Sequence, residues 1–156
     1  MKKVLIMRGI PGSGKSTYVA QAVGALLSYQ VASVCSADTY FLTGPDKEYI
    51  FDLSKIGQAH AACFSQFMSG LLLMKKDFLN LLVVDNTNVR AWEPSAYIQL
   101  ARYHHVDIEI VRFHIDPAVA GPRNRHGVPQ EAVDRMAKSM ERLPPALGKE
   151  TVVNVN

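Results

Sequence analysis

Eight residues near the amino terminus, Gly9-Ile-Pro-Gly-Ser-Gly-Lys-Ser16, carry the clearest chemistry in the sequence. The pattern G-x-x-x-x-G-K-[ST] lets glycines turn backbone N–H groups toward phosphate oxygens, while its lysine reaches the outer phosphates of a nucleotide. Gly12, Ser13, Gly14, Lys15, Ser16 and Thr17 are therefore candidate ATP contacts, with the Ser16 hydroxyl as a magnesium ligand. The alternative is a glycine-rich turn that holds a lysine by chance. The apolar run before it and the helix-period stripe after it argue against that.

Other residues could act on a bound phosphate. Asp38 leaves a second β-branched run at a place where its carboxylate could face the γ-phosphate and take a proton from an acceptor hydroxyl. Capping a helix or closing a turn is the competing role. Asp85 ends the apolar run Leu79 to Val84, the position from which an acidic residue holds magnesium through water in P-loop enzymes; closing a strand-end turn is its alternative. Thr87 and Asn88 either orient a ligand or close the same turn. Arg123 and Arg125 lie among Pro117, Gly121, Pro122, Gly127 and Pro129, a segment that reads as a mobile loop or lid able to bring a guanidinium over the phosphates. Without the phosphate loop they would be two solvated arginines. His60 reads as a helix residue, and His104, His105, Lys75 and Lys76 as helix-end residues; no histidine is assigned to catalysis.

The elements that must position these residues follow from apolar periodicity. Strands are expected at Lys3 to Arg8, Val31 to Cys35, Leu79 to Val84 and Val106 to Ile115, with an edge strand at Glu150 to Val155. Helices are expected at Ser16 to Ser28, Ser54 to Met74, Trp92 to Tyr103 (Pro94 in its first turn) and Pro129 to Arg142, stopped by Pro144 and Pro145. Thr43 to Asp46 marks a turn. Alternating strands and helices with continuous apolar strands define an α/β domain with a central parallel sheet. Ligands bind beyond the carboxyl ends of such strands, so the loops starting at Gly9, Ser36, Asp85 and Asp116 should share one face.

The bulk composition agrees. A chain of 156 residues with 48% hydrophobic and 20% charged residues suits one folded domain, and a net charge of +3 does not by itself argue for nucleic acid. Cys35 and Cys63 lie too far apart, without a second pair, for a disulfide scaffold or a zinc site, and should be reduced and buried. Val4 to Met7 is too short for a signal peptide and no stretch could span a bilayer, so a cytoplasmic protein is expected.

The chain resembles the P-loop polynucleotide 5′-hydroxyl kinases, of the phage polynucleotide kinase type and the related eukaryotic kinase-like domains, within the wider AAA and zeta-toxin-like P-loop kinases. The resemblance rests on Gly-Ile-Pro-Gly-Ser-Gly-Lys-Ser-Thr at 9 to 17, Ser-Ala-Asp-Thr-Tyr-Phe at 36 to 41, Val-Asp-Asn-Thr-Asn at 84 to 88 and Arg-Asn-Arg-His-Gly-Val-Pro at 123 to 129, in family order. It implies an α/β P-loop kinase with a central four- to five-stranded, mainly parallel sheet flanked by helices. With the length suited to one domain over 1–156 and a lid expected at about 116–129, no phosphatase, ligase or cyclic-phosphodiesterase domain is expected and a stand-alone kinase is the expectation. Lys15 and Ser16 would serve ATP and Mg2+, Asp38 would be the general base, Asp85 or Asn86 would lie near acceptor and metal, and Arg123 would be the lid arginine. The acceptor would be a nucleic acid with a 5′-hydroxyl end. Phe41 departs from the phage enzyme, which has there an arginine that contacts the acceptor's phosphate. Two other readings keep the nucleotide: a kinase of a nucleoside, modified DNA base or other small hydroxyl compound, and a noncatalytic ATP-dependent binding module.

Overall fold

Val4, Leu5, Ile6 and Met7 are all buried, so the first strand shows no alternation because both of its faces are covered. That strand, β1 (Lys3–Arg8), is the middle of a five-stranded sheet in the computed structural model, which describes residues 2–156. The other strands are β2 (Ala32–Cys35), β5 (Leu81–Asp85), β6 (Asp107–His114) and β7 (Glu150–Asn154), in the order β2-β5-β1-β6-β7. Every pairing in the sheet is parallel, with Ile6 opposite both Val84 and Ile110. Two short strands, β3 (Leu42–Thr43) and β4 (Glu48–Tyr49), form a separate antiparallel hairpin that the sequence marked only as a turn.

Helices cover both faces. On one, Val4, Ile6, Leu82 and Val84 pack against Ala59, Cys63, Phe67 and Leu71 of α2 (Ile56–Lys75) and Tyr97 and Ile98 of α3 (Trp92–Tyr103). On the other, Leu5, Met7, Val83 and Phe113 meet Val19 of α1 (Lys15–Gly24). A third cluster, Ile10, Ile115, Ala120 and Val133, ties the phosphate loop to α4 (Pro117–Arg123) and α5 (Gln130–Ser139). Cys35 and Cys63 are free and buried, as expected.

Several boundaries differ from the sequence reading, each for a physical reason. Segment 116–129 is not a loop throughout. Asp116 caps α4 by accepting from the Ala118 N–H at 2.8 Å, and Pro117 takes the first helical position, where its missing N–H costs nothing. The loop proper is confined to 124–129. Helix α5 stops at Ser139 rather than Arg142, because the Glu141 backbone is taken by other partners: its N–H donates to Val89 and its carbonyl accepts from Arg8. Helix α1 ends at Gly24, four residues short of Ser28, in a tightened turn where the Leu26 N–H donates to Val23.

Candidate functional site

The loops that follow β1, β2 and β5 and the segment after α4 open onto one cleft of about 570 Å³, as the parallel sheet requires. Gly12, Gly14, Lys15, Ser16, Thr17, Asp38, Asp85, Asn86, Thr87, Arg123 and Arg125 line it. A hollow of about 520 Å³ beside Lys3, Tyr18 and Glu109 lies toward the amino ends of β1 and β5 and holds none of these residues.

The phosphate loop owes its shape to two glycines. Gly12 and Gly14 sit at φ 78° and 93°, left-handed conformations that side chains disfavour. Gly14 also caps α1 without any side-chain bond, leaving the first-turn amides of that helix free for an anion. Lys15 is only 9% exposed and folds back so that Nζ donates to the Gly9 and Ile10 carbonyls at 2.9 and 3.0 Å. Burial pulls its amine down to about 8, against the opposing pull of the negative Asp85 and Asp38.

The Ser16 hydroxyl donates to Asp85 Oδ2 at 2.9 Å, while Asp85 Oδ1 is buried with no hydrogen-bond partner among the described residues. An orphaned carboxylate oxygen beside a helix-start hydroxyl suits a divalent cation, and these two residues fit magnesium. No group of three or more His, Cys, Asp or Glu side chains gathers among the described residues. The rest of a magnesium shell would come from phosphate oxygens and water, the usual arrangement for that ion.

Asp38 stands on a 3-10 turn, Ala37–Phe41, whose cap is Ser36: the Ser36 Oγ accepts from the Asp38 N–H at 3.3 Å. The Asp38 side chain is thus spared the capping role and is half exposed toward the cleft. Asn86 clamps this turn from below, its Oδ1 accepting from the Ala37 N–H at 2.9 Å and its Nδ2 donating to Cys63 Sγ at 3.4 Å. Asn86 lines the cleft, but both polar atoms of its side chain are engaged in holding the turn that carries Asp38.

Two candidates fall outside. Asn88 is buried at φ 46°; its Nδ2 donates to the Met7 carbonyl at 2.8 Å and its own carbonyl accepts from Arg8 Nε. It closes the turn after β5, the other role open to it, instead of meeting a substrate. Ser13 is buried beneath the loop, its Oγ unpaired among the described residues and off the cleft wall. Two residues unassigned from the sequence join the site. Tyr49 Oη donates to Asp38 Oδ1 at 3.1 Å, and His126 Nε2 lies 3.5 Å from Asp38 Oδ2. A Gly44 turn between Leu42-Thr43 and Glu48-Tyr49 was the only local sign of the hairpin that carries Tyr49. Phe41, in the place of the phage enzyme's arginine, is buried against Tyr49 and Phe51.

The family model of an AAA domain matches residues 4–143, a span that takes in the phosphate loop, Asp38, Asp85, Arg123 and Arg125. The chain belongs to this AAA domain family. Human NEDD4-binding protein 2 is 29% identical to this AAA domain over 144 residues, covering 90% of the chain but 8% of the relative's own length. A chain of the Pnkp1/Rnl/Hen1 RNA repair complex superposes with a TM-score of 0.67 at 17% identity, covering 89% of this chain and 44% of that one. A gluconokinase from Sinorhizobium meliloti 1021 superposes with a TM-score of 0.57 at 16% identity, covering 98% and 82%. The AAA domain thus has a kinase-like P-loop fold. Among its described residues no helix is long and apolar enough to cross a membrane.

Proposed function

We propose that the chain is an ATP- and Mg2+-dependent kinase that transfers the γ-phosphoryl group to the 5′-hydroxyl of a DNA or RNA end. The observation that carries the reading is Asp38: a half-exposed carboxylate, free of any capping role, on the same cleft as the phosphate loop and both lid arginines. In phosphoryl transfer the protein's work is positioning and charge compensation. The first-turn amides of α1 and the Lys15 amine would receive the phosphates. Ser16 and Asp85 would hold magnesium, which when bound supplies positive charge beside the phosphates. Asp38 would orient the acceptor hydroxyl and take its proton, and Arg123 or Arg125 would meet charge spreading over the transferred group. A nucleic-acid acceptor is supported by the likeness to a chain of an RNA repair complex and by the four motifs in family order.

The gluconokinase likeness and the modest cleft favour a second reading, in which the acceptor is a small hydroxyl compound. Labelled ATP offered to 5′-hydroxyl DNA and RNA oligonucleotides and to a panel of nucleosides and sugar acids separates the two. Label on oligonucleotide ends, with binding that weakens as salt rises, supports the first. Label only on small acceptors supports the second. If ATP binds and nothing is labelled, a noncatalytic module remains. Asp38→Asn should lower kcat by roughly 10²–10⁴ while ATP still binds.

A further inference from the structure

Lid and base meet through two side chains that the phosphate-loop chemistry does not use. Tyr49 ends the hairpin, and its hydroxyl donates to Asp38 Oδ1 at 3.1 Å. Its ring sits 6.0 Å from that of Phe41, which lies 5.0 Å from Phe51, so aromatic packing, not the carboxylate, fixes where the phenol points. Burial first, and then the Asp38 charge and hydrogen bond, push this hydroxyl above the usual tyrosine range and keep it a donor. Across the carboxylate, His126 Nε2 lies 3.5 Å from Oδ2, and its ring packs on Tyr49 with centroids 4.5 Å apart. The loop that carries His126 is closed internally. Asn124 Nδ2 donates to the Gly121 and Val128 carbonyls, and its Oδ1 accepts from the Val128 N–H.

A half-exposed aspartate left alone turns freely about its last torsion, which is broad and two-fold. A general base needs one oxygen held toward the proton it takes. We propose that Tyr49 and His126 are positioning residues for Asp38: Tyr49 anchors Oδ1, and His126, carried by the lid, holds Oδ2 toward the acceptor. The base is then ready only beneath the lid that also brings Arg123 and Arg125. The inference rests on the phosphotransfer reading above. In the step it serves, the acceptor oxygen bonds to the γ-phosphorus while its proton passes to Asp38 Oδ2. The bond to the bridging oxygen breaks, and ADP leaves with that electron pair.

The test compares kcat for Tyr49→Phe, His126→Phe and His126→Gln, each alone and combined with Asp38→Ala. Tyr49→Phe removes only the hydroxyl. His126→Phe keeps a ring against Tyr49 and loses the nitrogen. Each should lower kcat about tenfold, a fraction of what a base supplies, with KM for ATP within about twofold of the parent. His126→Gln, which restores an N–H, should recover most of the loss. Both losses should vanish when Asp38 is already alanine, because they act through it. Unchanged kcat in Tyr49→Phe and His126→Phe, or equal fractional losses with and without Asp38, overturns the proposal. So does a rise confined to the acceptor's KM, which would make the pair a binding surface. A parent protein that transfers no phosphoryl group strikes the phosphotransfer reading itself, before any variant is made.

Discussion

Lys15 is a cation folded away from water, and its chemistry predicts a pH dependence. With the amine at about 8 in the free protein, the group is protonated below that pH and increasingly neutral above it. Phosphates beside it favour the charged form, so above about pH 8 nucleotide binding must take up a proton. Once the γ-phosphate of ATP is fully ionised, ATP affinity should fall as pH rises past about 8, a decline that Lys15→Met abolishes; calorimetry in buffers of different ionisation enthalpy measures the uptake. Stability runs the other way. The unfolded lysine holds its proton up to about 10.5, so the burial penalty is full below about pH 8 and is relieved between 8 and 10.5. For Asp85→Asn, Ser16 keeps a partner but the anionic oxygen is lost. The extra thermal protection that Mg2+ adds to ADP should disappear while protection by ADP alone persists. Lys15 and Asp85 were legible because each belongs to a contiguous motif. Asn88 was not, since a polar residue after a strand looks the same in sequence whether it faces a ligand or, as here, the Met7 carbonyl. His126 gains meaning only from Asp38, 88 positions upstream and brought close by the fold.

Composition misled most at segment 116–129. Prolines and glycines read as loop, yet Asp116 and Pro117 start a helix by supplying a cap and a residue that needs no N–H partner. What remains irregular, 124–129, is drawn into a ring by the Asn124 side chain. Asn124→Ala should therefore leave the core stable but open this ring. Trypsin should cut faster after Arg123 and Arg125, and ATP should protect those bonds less than in the parent; equal cleavage rates would show that the ring does not hold this segment. Helix α5 teaches the complementary lesson. Its amphipathic pattern continues past Ser139, but the long-range partners of the Glu141 backbone outweigh the local signal.

Across the whole molecule, the strand and helix alternation was readable because a doubly covered parallel sheet leaves uninterrupted apolar strands. The strand order was not, since it depends on pairings between distant segments. One such link is Arg8, fully buried at the end of β1. It donates to the Asn88, Val89 and Glu141 carbonyls and pairs with Glu150 on β7, which also faces Arg112. Removing Glu150 would leave that charge without its carboxylate in a dry site. Glu150→Ala should cost about 3–5 kcal/mol, read as a lowered unfolding midpoint in urea, whereas an exposed pair such as Arg90 with Glu141 should matter far less.

The phosphate loop and α4 also touch directly. A Cβ on Gly12 would lie 1.9 Å from the Ala120 carbonyl oxygen, so loop and α4 share a common wall with no slack. Segment 116–129 consequently has a root fixed at α4, while its tip is held by the Asn124 side chain and by His126 against Tyr49. Under the proposed kinase reading, α4 would be the fulcrum set against the nucleotide's seat, and an outward stroke would belong to the 124–129 ring beyond it. A methyl group at position 12 would work as a wedge at that fulcrum, prising root and seat apart together.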